Sequence, residues 1–84
     1  MATLTRQERA WFNKLQKLLN ECPFDTSDFD SFTVGDKNIT VFKKMFEVKE
    51  HQLINNTDLN ESVDALDAEV FDLKFPFGIA SAAG

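Results

Sequence analysis

Near residue 70 the apolar side chains change from the spacing of a helix to that of a strand, which points to a chain with both elements in close succession. Leu59, Val63, Leu66 and Val70 recur at i, i+4, i+7 and i+11, the stripe of a short amphipathic helix. Asp58 and Glu61 form a capping-box pattern at its start, and Glu61, Asp64 and Asp67 lie on its outer face. Phe71, Leu73, Phe75 and Phe77 then alternate with Asp72, Lys74 and Pro76, the pattern of a half-buried strand. Pro76 has no N–H to give, so this strand is expected at a sheet edge or close to its end there.

A second helix is written near the N-terminus. Thr5 and Glu8 match a capping box, and Trp11, Leu15, Leu18, Leu19 and Cys22 follow at helical spacing, widened by Phe12. At 100° per residue these six side chains fall within an arc of about 120°. Pro23 disfavours helical geometry at Cys22, which puts the end of the helix near Glu21. After the turn-rich PFDTSDFDS, the segment SFTVGDKNITVF reads as a β-hairpin. A two-residue turn at Asp36–Lys37 would set Val34 opposite Ile39, Thr33 opposite Thr40 and Phe32 opposite Val41. Residues 43–56 are open between a prolonged second strand and a short helix; the helix is preferred, through Phe46, Leu53 and Ile54 and ending at Asn55–Asn56.

The expected fold is α+β: an N-terminal amphipathic helix packed on a small antiparallel sheet, the β-hairpin plus the C-terminal strand, with one or two short helices between. The 84 residues suffice for a single domain, 1–84, in which the small, polar stretch 77–84 reads as a mobile tail. Ordering such a chain costs roughly 1.5 kcal/mol per residue. Nearly every large apolar side chain, including nine Phe and one Trp, is therefore expected to be buried.

Charge narrows the partners. Residues 1–24 carry +2 and residues 25–84 carry −7, and between Glu50 and Leu73 there are seven acids and no Lys or Arg. Such a surface repels phosphate backbones, so direct nucleic-acid binding is not expected. No apolar run is long enough for a membrane span, and none follows the charges of MATLTRQER as a signal peptide requires. A single cysteine and the missing signal point to a reducing cytoplasm.

Catalytic signals are weak. Cys22 and His51 are the one nucleophile–base pair on offer, but Cys22 sits on an apolar stripe, where a thiol is usually a small buried hydrophobe, and at the helix end whose dipole disfavours a thiolate. Asp25, Asp28, Asp30 and Asp36 suggest calcium, yet neither Asp25 nor Asp28 starts a loop with EF-hand spacing, and turn chemistry accounts for them. No nucleophile elbow, zinc motif or glycine-rich phosphate loop is present. The chain is therefore expected to be non-enzymatic and to need no cofactor.

Three segments, LTRQERAWFNKLQKLLNECP, TVGDKNITVF and KFPFGIASAAG, together resemble small accessory proteins of unassigned role carried by enterobacterial phages and prophages. The resemblance implies a bacterial cytoplasmic setting and a non-enzymatic role, and supplies no functional residues. On the chain's own residues the preferred reading is a protein-interaction module that binds and modulates a host or phage protein. Its expected contact residues are Glu61, Asp64, Asp67 and Glu69, and its expected partner is basic. The alternative is a homodimer or larger assembly joined through the Phe-rich edge strand.

Overall fold

A computed structural model describes residues 2–80 of the chain. The order is α1 (Arg6–Asn20), β1 (Asp30–Phe32), β2 (Asn38–Phe42), α2 (Met45–Asn55), α3 (Leu59–Ala65) and β3 (Glu69–Lys74). The strands form one antiparallel sheet in the order β1–β2–β3, so the fold is α+β and β3 is an edge strand, as the sequence suggests.

Helix α1 begins where expected. The Glu8 amide donates to Thr5 Oγ1 at 3.1 Å, and the Thr5 amide donates to Glu8 Oε1 at 2.8 Å. It closes at Glu21, whose amide donates to the Lys17 carbonyl. Residues 43–56 resolve as helix: α2 opens after Lys44 and closes at Asn56, both in the left-handed region, where Asn is one of the few side chains tolerated.

The hairpin register departs from expectation by one residue: Phe32 lies opposite Thr40, not Val41. A one-residue slip moves every side chain to the other face, so the register is decided by which residue must enter the core. Here that residue is Phe42, 1% exposed, with the Phe32 ring 6.0 Å away on the same face. The turn is accordingly longer than two residues. Gly35 takes a φ of 98°, and Thr33 Oγ1 receives the Gly35 amide at 3.2 Å and donates to the Asn38 carbonyl at 3.0 Å.

Phe42, Val48, Val63 and Ala68 make up the buried core, with Phe32, Leu59 and Leu66 packed against it. Helices α2 and α3 thus cover one face of the sheet. In α2 the inward residue is Val48, whereas Phe46, Leu53 and Ile54 are exposed; the expected face of this helix was the wrong one. The capping box at α3 is not formed, because Asp58 makes no side-chain bond there, and Val70 belongs to β3 rather than to the helix. Helix α3 instead ends in a Schellman turn. The Ala68 amide donates to the Val63 carbonyl at 2.9 Å and the Asp67 amide to the Asp64 carbonyl at 3.1 Å, bringing Ala68 onto Val63 in the core.

The expectation that nearly all aromatics are buried is not met. Val41 pairs with Phe71 and Ile39 with Leu73, so these four share the sheet face opposite Phe42. That outer face is open, and Phe71 is 62% exposed. Helix α1 has no buried residue; Leu18 and Leu19 are 70% and 57% exposed, and its Trp11 and Phe12 rings lie 6.4 and 6.2 Å from Phe77. Of the 77–84 tail, Phe77–Ala80 are described and 81–84 lie outside the described residues.

The result is an open molecule. Its radius of gyration is 15.7 Å, where a compact chain of this length has about 12 Å. Its accessible surface is 7033 Å², against about 5,100 Å² for a typical folded monomer of this mass.

Candidate functional site

The four acids singled out from the sequence come together. Glu61 lies in the first turn of α3 and Asp64 one turn further. Asp67 follows in the Schellman turn, and Glu69 opens β3 opposite Phe42 of β2. All four are exposed, and all four line one concavity of about 360 Å³ together with Phe32, Thr40, Asn60 and Val63. Among the described residues none of the four has an ion-pair partner, the single salt bridge there being Lys17–Glu21, at 4.0 Å on α1. Periodicity placed Glu61, Asp64 and Asp67 on one helical face. That Glu69 and Phe32 join them in lining the concavity depends on the β1–β2–β3 order, which carries no local sequence signal.

Asp67 holds its position at a cost. Its φ of 51° is a left-handed conformation that disfavours any residue with a Cβ, although Asp tolerates it better than most. Glycine is the preferred residue at this point of a Schellman turn. Asp67→Gly is therefore expected to stabilise the fold by about 0.5–1 kcal/mol, visible in a thermal melt as a rise of roughly 2–8 °C. A melt unchanged or lowered would show that the carboxylate contributes to the fold as well as to the concavity.

Among the described residues no group of three or more His, Cys, Asp or Glu side chains is placed to hold a metal ion. The Asp25 carboxylate accepts the Ser27 amide at 3.0 Å and the Ser27 hydroxyl at 3.1 Å, which is turn chemistry. These bonds, the backbone amide first, hold the Asp25 pKa below its ordinary value. Because the folded value is the lower one, their contribution is present above the ordinary carboxylate range and is lost as pH falls through the folded value.

Cys22 and His51 have separate surroundings. Cys22 is exposed rather than buried, and its thiol approaches the Phe24 carbonyl at 3.9 Å. His51 Nδ1 sits 2.8 Å from Ser62 Oγ, which in turn is 2.6 Å from Thr57 Oγ1. Ser62 is fully buried, and this chain of hydroxyls and imidazole ties α2 to α3. The sequence did not reveal the network, since Ser, Thr and His at these spacings match no motif.

Comparison with protein-family models, curated proteins and solved structures finds no match to this chain.

Proposed function

We propose that this chain is a small non-enzymatic interaction module that binds a basic protein partner through the acidic concavity. The observation that carries this reading is the convergence of Glu61, Asp64, Asp67 and Glu69 on one concavity, with no cation among the described residues paired to them. Unpaired like charges repel one another, and a cation from outside relieves that repulsion. The walls suit a Lys or Arg side chain: Phe32 offers apolar surface for the stem, and the carboxylates receive the charged head. In the phage or prophage setting suggested by the sequence, the partner is a host or phage protein that this module modulates.

The test is capture from nuclease-treated bacterial lysate, wild type beside Asp64→Lys/Asp67→Lys, with circular dichroism confirming that the variant stays folded. Both positions are exposed, and the left-handed backbone at 67, though less suited to Lys than to Asp, is adopted by Lys44 in this chain, so the fold is expected to survive. The reading expects one stoichiometric partner, bound at least tenfold more weakly by the variant and released by salt. A partner held equally by both proteins removes the acidic concavity from consideration, and capture of no protein removes the reading.

A further inference from the structure

The uncovered apolar surface lies elsewhere and is continuous. On the outer face of the sheet, Phe71 and Leu73 of β3 sit beside Val41 and Ile39 of β2. The line continues through Phe75, whose ring is 5.8 Å from Phe77, and Phe77 meets Trp11 and Phe12 at the N-terminal half of α1. Along α1 the stripe then runs out through Leu18 and Leu19, the most exposed part of the helix's apolar face. Helix and sheet face thus form two arms joined at Phe77, each presenting apolar side chains that the chain itself leaves in water.

We propose that a second copy of this chain covers both arms, with the α1 stripe of each protomer lying on the outer sheet face of the other. Two observations select a second copy over a different protein. The exposed area exceeds that of a typical compact monomer by about 1,900 Å². That excess falls within the roughly 1,000–2,500 Å² that each protomer of an obligate dimer buries. The two arms are also complementary in kind, a convex helical stripe and a flat sheet face, so one two-fold axis satisfies both at once in a closed, self-complementary contact. This contact uses the sheet face opposite α2 and α3, so it stands or falls independently of the acidic concavity.

Sedimentation equilibrium of the full chain at micromolar concentration is expected to give twice the 9.6 kDa monomer mass. Leu18→Glu/Leu19→Glu on the helix and Phe71→Glu on the sheet are each expected to weaken association on the order of a hundredfold while circular dichroism stays folded. Leu73→Glu serves as a second sheet-face variant should Phe71→Glu lose structure. The deciding arm mixes the helix variant with the sheet variant. In that mixture one of the two reciprocal contacts is intact, so a heterodimer forms that neither variant makes alone. A wild-type monomer overturns the proposal. So does a dimer indifferent to these substitutions, which would place the joint at the β3 edge. Failure of the two variants to complement each other overturns the pairing of helix with sheet.

Discussion

Phe42→Ala is expected to leave the chain unfolded at room temperature, with loss of the far-ultraviolet signature of the sheet and no cooperative thermal transition. Truncating a buried Phe to Ala costs about 3–5 kcal/mol, the lost transfer energy plus the cavity left behind. A domain of this size rarely has more than about 3–5 kcal/mol in total. The cost falls hard here because four residues form the fully buried core, and Phe42 is the largest of them. It also holds the Phe32 ring and, through its place in β2, the strand that pairs on both sides. Phe42→Leu, which keeps most of the volume, is expected to stay folded with a lowered melting temperature. A cooperative melt for Phe42→Ala within a few degrees of wild type would mean that the stabilising core lies elsewhere, with the outer sheet face and α1 as the first place to look.

What the sequence shows clearly in this protein is whatever a few neighbouring residues decide. The Thr5–Glu8 capping box, the stop before Pro23 and the Asn56 terminus of α2 are local, and all three appear as read. The alternation through Phe71 and Leu73 identifies a strand for the same reason. It cannot say which side of the sheet the helices will occupy. The Phe-rich stripe of β3 invites burial, but α2 and α3 pack on the other side, where Phe42 and Phe32 lie, and so the stripe faces out. The hairpin register turns on the same choice, since Phe32 opposite Thr40 is what brings Phe32 and Phe42 to one face. In the candidate site, the helical acids were legible and their meeting with Glu69, Phe32 and Thr40 was not, because that meeting spans three strands and a helix. Ser62 is the clearest omission: a lone serine carries no signal of being the buried junction of two elements.

That junction supplies the second large effect. Ser62→Ala is expected to destabilise the fold by about 1–3 kcal/mol, measured by urea unfolding, because one hydroxyl serves two partners. Removing it leaves His51 Nδ1 and the Thr57 hydroxyl without their bond in a half-buried setting between α2 and α3. The loss of a partner matters more than the loss of a bond, because an unsatisfied polar group costs its desolvation. Thr57→Val added to Ser62→Ala removes one of the two orphaned groups, so the double variant is expected to be less destabilised than the sum of the single ones. A coupling near zero would show that water replaces Ser62 at Thr57, and a Ser62→Ala loss below about 0.5 kcal/mol would show that the network contributes no more than an ordinary surface contact. The same measurement separates structure from chemistry: a strut that fixes α2 against α3 loses stability when it is cut, and the acidic concavity on the far side of α3 keeps its charge.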